Sequence, residues 1–109
     1  MGTEEIIKIV NEKRRLEEHE GIRQALFYRL YKEGLNGCDI ARLFGYSKPS
    51  AYDAIYTHRD RMEINDKKAM DANDEIWKHD VQVQPVIKRL KIEGYEVYID
   101  NVLLVSSYK

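Results

Sequence analysis

A single cysteine, Cys38, in 109 residues excludes an internal disulfide. The three histidines, His19, His58 and His79, stand at no spacing that would complete a zinc site with it, and each reads as an ordinary surface or half-buried side chain. No stretch approaches the roughly 18 consecutive apolar residues of a membrane span. The opening Met1 to Glu5 lacks the basic and apolar regions of a signal peptide, so a cytoplasmic location without membrane contact is expected. There is no Gly-x-x-x-x-Gly-Lys phosphate loop and no motif that pairs a nucleophile with a base. No cofactor, nucleotide or enzymatic activity is therefore expected. A surplus of one charge is missing too: 18 basic side chains face 19 acidic ones, for a net charge of −1. Charge alone does not argue for a nucleic acid partner. By segment, residues 1–35 hold 7 of each sign, residues 36–70 hold 6 basic and 5 acidic, and residues 71–109 hold 5 basic and 7 acidic.

What is present is 43% apolar and 34% charged side chains, enough of each for a soluble domain with one main core. Ile6, Ile7, Ile9, Val10 and Leu16 among charges predict an amphipathic helix over Glu4–Glu18, with Thr3 as N-cap and Gly21 ending or interrupting it. Leu26 and Leu30, flanked by Ala25, Phe27 and Tyr31, predict a second helix from Ile22 to about Glu33. Tyr28 and Tyr31 read as packing residues on it, with wet hydroxyls. After a Leu35-Asn36-Gly37 turn, Ile40, Leu43 and Phe44 share one face of a short helix that Gly45 stops. Ser47 can cap a further helix with Pro49 in its first turn, running to about Met62. Ala51, Ile55, His58 and Met62 point inward on it, leaving Lys48, Tyr52, Asp53, Tyr56 and Arg59 outside.

Asp66 to Lys78 predicts another helix. Beyond it Pro85 fits the first position of a last helix through Ile87, Leu90 and Ile92, while Val81 and Val83 alternate as a strand would; both options stay open. Tyr95–Ile99 and Val102–Val105 flank Asp100-Asn101, two residues that tolerate positive φ, which predicts a C-terminal β-hairpin.

A helix-turn-helix needs a small residue where its helices cross, a glycine where the chain turns, and apolar residues toward the core. Ile40-Ala41, then Gly45, Ala51, Ala54 and Ile55 meet all three demands. The second helix then protrudes, and Ser47, Lys48, Ser50, Tyr52 and Tyr56 become candidates to enter a major groove. Lys48 can reach a guanine edge or a phosphate. The tyrosines can bond phosphate or pack on sugar and thymine methyl, whereas Asp53 can accept from a cytosine amino group but would repel phosphate.

Lys13-Arg14-Arg15, Arg23-Gln24 and Ile40-Ala41-x-x-Phe44-Gly45 together resemble the C-terminal DNA-binding domain of the bacterial replication initiator DnaA, of the Trp repressor-like class, over about Glu12–Met62. The resemblance implies backbone contacts from Arg14, Arg15 and Arg23 and groove contacts from Lys48 and Ser50. Where that family opens its recognition helix with Arg-Asp-His-Thr-Thr, this chain has Tyr46-Ser47-Lys48-Pro49-Ser50, so the family's site preference does not transfer.

The expected fold class is mainly α: a Trp repressor-like helix-turn-helix bundle over residues 1–65, followed over 66–109 by a C-terminal helix and β-hairpin serving as a wing or dimerisation element. A homodimer is one way to cover Val97, Ile99, Leu103 and Val105, because a lone hairpin is only marginally stable. The expected function is sequence-specific binding of double-stranded DNA by a small transcriptional or replication accessory regulator. The alternative is a protein-interaction module that keeps the helical pair without DNA.

Overall fold

The structure, a computed structural model, describes residues 1–12 and 16–108. Helices come first along the chain: α1 (Thr3–Asn11), a single 3₁₀ turn (Glu17–His19), α2 (Glu20–Lys32), α3 (Gly37–Phe44), α4 (Lys48–Glu63) and α5 (Lys67–Trp77). An antiparallel meander follows, β1 (Val81–Lys88), β2 (Lys91–Ile99) and β3 (Val102–Tyr108), in the spatial order β1-β2-β3.

α2 is the centre of the helical layer, with α4 and α5 packed along it and Ile22, Ala25, Leu26, Phe27 and Leu30 buried. Gly21, expected to end or interrupt a helix, lies inside α2; a Cβ there would meet Ala72 Cβ of α5 at 3.8 Å. Arg29 fixes α5 from the same helix. Its Nη1 donates to the carbonyls of Ile76 (3.2 Å) in the last turn of α5 and His79 (3.0 Å) just beyond it, and its guanidinium lies 4.1 Å from the Trp77 ring centre.

The first helix is shorter than expected. It ends at Asn11 rather than Glu18, and Gly2 rather than Thr3 occupies its N-cap position. The Thr3 hydroxyl donates instead to Asp100 in the β2–β3 turn. Asp100 also accepts from His79 Nδ1 at 2.5 Å and from the Asp80 N–H at 3.0 Å. The Thr3 hydroxyl first, then His79 and the Asp80 amide, hold its carboxyl down to about 2, so this junction of α1, α5 and the sheet stays ionised at ordinary pH.

The expectation of a mainly α fold with one hairpin is corrected: the class is α+β, with a three-stranded sheet. Pro85 starts no helix; it lies in β1 opposite Tyr95. A missing N–H is tolerated at the start of a helix and equally on an edge strand, and β1 is an edge. A helix of two turns there would be marginal alone, whereas pairing with β2 satisfies the backbone groups on the side that faces it. Val81, Val97, Ile99 and Leu104 of the sheet share one buried cluster with Ile6 and Ile9 of α1, Leu30, Ile40 and Ile55. The sheet therefore closes the core of the helical layer.

Both hairpin turns have two residues with positive φ. Asp100 (φ 49°) and Asn101 (φ 66°) make the expected turn with residues suited to it. The β1–β2 turn uses Arg89 (φ 51°) and Leu90 (φ 66°), side chains for which this conformation costs about 1–2 kcal/mol each.

Candidate nucleic-acid interface

Each end of α3 and the start of α4 is set by a local interaction. Asn36 Oδ1 accepts the Asp39 N–H at 2.9 Å while the Asp39 carboxylate accepts the Asn36 N–H at 3.4 Å, a reciprocal capping box. Gly45 then takes the left-handed conformation (φ 72°), and the following N–H, of Tyr46, donates to Ala41 O at 2.9 Å. Ser47 caps α4: its Oγ accepts the Ser50 N–H at 3.3 Å and donates to Ser50 Oγ at 2.8 Å. Pro49 sits in the first turn.

The two helices meet through small side chains. Ala41, Ala51, Ala54 and Ile55 are buried, as the spacing requires. Phe27 of α2 holds the turn from below, with its ring centre 4.9 Å from that of Phe44 and 5.1 Å, edge-on, from that of Tyr46. Gly37, a turn residue by its sequence context, opens α3 and is buried under Tyr52: a Cβ at this position would lie 2.5 Å from the Tyr52 ring. Nothing in the sequence around Gly37 signals that contact, because Tyr52 is fifteen residues away.

Ser47, Lys48 and Ser50 are exposed together at the start of α4, next to exposed Asp53. The first turn of α4 carries Lys48 and no carboxylate, as does that of α5 with its own lysines, but α5 is capped by the Asp66 carboxylate and α4 by neutral Ser47; the first turns of α1, α2 and α3 each carry at least one carboxylate. A helix N-terminus without acidic side chains keeps its attraction for anions. Tyr52 and Tyr56 form one flank of α4, ring centres 5.7 Å apart. Tyr31 meets Tyr56 edge-on at 6.5 Å, and the Arg59 guanidinium lies 4.6 Å from the Tyr56 ring centre. Tyr31 stands farther out than a packing role requires, at 38% exposure. Together these residues form a polar aromatic flank beside the protruding helix end; the sequence places Arg59 on this outer side of α4 but not among the candidate contacts, and assigns Tyr31 to packing.

The proposed backbone-contact arginines separate. Arg23 is only 2% exposed: its Nη2 donates to Ile9 O (3.3 Å) and Glu12 (3.2 Å), and its Nη1 to Glu20 (3.4 Å). It ties the end of α1 to α2, and its assignment as a phosphate contact is corrected. Arg14 and Arg15 lie outside the described residues.

His58 lies in the interior on the inward stripe of α4, its ring 5.3 Å from that of Tyr28. Its Nε2 is 3.2 Å from Asn73 Oδ1, and buried Nδ1 has no hydrogen-bond partner among the described residues. The neutral tautomer that donates from Nε2 suits this site; a second proton on Nδ1 would bury both a charge and an unpaired N–H. Burial accordingly lowers its pKa below the ordinary 6.5, with Arg61 adding in the same direction and the Asn73 bond opposing. The unfolded chain then takes up the proton first, so this stabilisation is complete above pH 6.5 and is lost as pH falls below it. We expect the urea midpoint to fall between pH 7.5 and 5.5 and His58→Gln to flatten that dependence; equal slopes for both proteins would remove His58 as its source.

No helix among the described residues is long and apolar enough to cross a membrane. Comparison with family models, curated proteins and solved structures gives no match.

Proposed function

We propose that this chain binds double-stranded DNA in a sequence-specific manner, with α4 as the helix that enters the major groove, as a small transcriptional or replication accessory regulator. The observation that carries this reading is the exposed, carboxylate-free first turn of α4, held out by the Gly45 turn. Lys48 and Ser50 there are free of the core and suit base-edge or phosphate contact, and Tyr52 and Tyr56 suit phosphate and sugar. The resemblance to the DNA-binding domain of DnaA over residues 12–62 points the same way and keeps Arg14 and Arg15 as candidate backbone contacts. Binding two half-sites would require a second copy, and exposed Val102 and Leu103 on edge strand β3 offer it a surface.

The second reading, a protein-interaction module, is favoured by the outward tyrosines Tyr31 and Tyr56 and by the neutral charge balance. A salt series separates the two. Fluorescence anisotropy with a labelled random duplex should give binding that weakens steeply with salt, and Lys48→Ala should reduce the log–log slope by about one unit. An Arg14→Ala/Arg15→Ala variant should reduce it by about two. Absence of duplex binding even at low salt would transfer the assignment to the interaction module.

A further inference from the structure

The β1–β2 hairpin places four unusual residues together. Its apex, Arg89-Leu90, adopts positive φ at both positions, a conformation that Asn-Gly would adopt with far less strain. Leu90 is 98% exposed, so no packing within the chain accounts for it. Lys88 and Lys91 lie directly opposite each other at the base of the turn, an arrangement disfavoured between like charges. Three cations thus surround one apolar tip in a chain of net charge −1, within a segment whose overall balance is acidic and hides them.

The tip also stands apart. β3 pairs with β2 only as far as Gly94, opposite Tyr108, so the ribbon beyond it is two-stranded among the described residues. At about 3.3 Å per residue the four steps from Gly94 to Leu90 span roughly 13 Å. Ile87 and Ile92, paired across this ribbon, are largely exposed as well.

Resting on the DNA-binding reading of α4, we propose that this arm is a second contact to duplex DNA: Lys88, Arg89 and Lys91 bind phosphates on the walls of a groove while Leu90 packs on sugars and base edges in the minor groove. The local costs of the arm, unfavourable backbone, opposed charges and an exposed apolar side chain, are not offset within the folded chain. A narrow groove with anionic walls and a partly apolar floor offsets all three. A membrane surface also offers anions above apolar matter, but a single leucine at a two-residue apex provides little area to insert.

The test uses the full chain with three sets of substitutions: Lys88→Ser/Arg89→Asn/Lys91→Ser, Leu90→Gly, and Lys48→Ala. Asn and Gly suit the turn, so the arm variants should melt at or above the wild-type temperature. The triple variant should reduce the salt slope of duplex binding by about two to three units. Leu90→Gly should leave the slope unchanged and weaken binding about five- to tenfold, as loss of an apolar contact does. If the triple variant keeps the wild-type slope while Lys48→Ala is impaired, the arm is no DNA contact and the α4 reading stands. If wild type binds no duplex, the α4 reading falls and this inference with it. Binding to vesicles of phosphatidylserine and phosphatidylcholine that the triple variant loses, with duplex binding unaltered, would assign the arm to a membrane surface and overturn the proposal.

Discussion

Phe27→Ala is expected to destabilise the protein by about 3–5 kcal/mol, the range for truncating a fully buried aromatic side chain. In a domain of this size that corresponds to a fall of about 12–20 °C in melting temperature. Phe27 is 1% exposed and touches both ends of the turn, Phe44 before Gly45 and Tyr46 after it. Its removal empties the space beneath the turn, so the two helices lose their common support as well as apolar area. Phe27→Leu retains much of the volume and should cost about 1–2 kcal/mol. Calorimetry on both variants checks this; a cost below about 1 kcal/mol for alanine would mean that the turn stands without the ring contacts.

The second large effect is expected at Arg23. Arg23→Met removes a guanidinium that serves Ile9 O, Glu12 and Glu20; the Ile9 carbonyl loses this donor, and the half-buried Glu12 carboxylate keeps His19 Nδ1, 2.9 Å away, as a partner. About 2–4 kcal/mol of stability should be lost, less than for a fully buried pair because Glu12 can regain some water. Glu12→Gln in the same chain should recover part of it, which a double-mutant cycle in urea measures directly. Below the melting temperature, duplex affinity and its salt slope should stay close to wild type. A slope reduced by about one unit would instead return Arg23 to the nucleic-acid contacts.

These two residues mark where sequence reasoning reached and where it stopped. Phe27 was legible as core from the periodicity of α2, but its role under the turn depends on Phe44 and Tyr46, which are distant along the chain. Arg23 carried a family resemblance and a charge, and both suggested an outward contact; only the crossing of α1 over α2 reveals that it is enclosed. The first turn of α4 was legible in full, because Ser47, Pro49 and Lys48 are neighbours and their effects are local. The arm was not, since nothing in Ile87–Ile92 announces a left-handed Arg-Leu turn, and the same apolar spacing suits a helix.

Sequence alone determined the α3 and α4 helices with the Gly45 turn between them, and the Asp100-Asn101 turn. Their determinants are side chains within one helical turn of the backbone groups they satisfy, or residues that tolerate positive φ where the chain must reverse. Tertiary structure decided between helix and strand for Val81–Lys88, and alone decided that Arg23 is buried and that Gly37 lies under Tyr52. Each of these depends on a partner supplied by another element: β2 for the backbone of β1, Ile9 and Glu12 for the guanidinium, and α4 for the space above Gly37. Local propensity was balanced at those positions, so the contact that satisfies a buried polar group or fills a void settled the outcome.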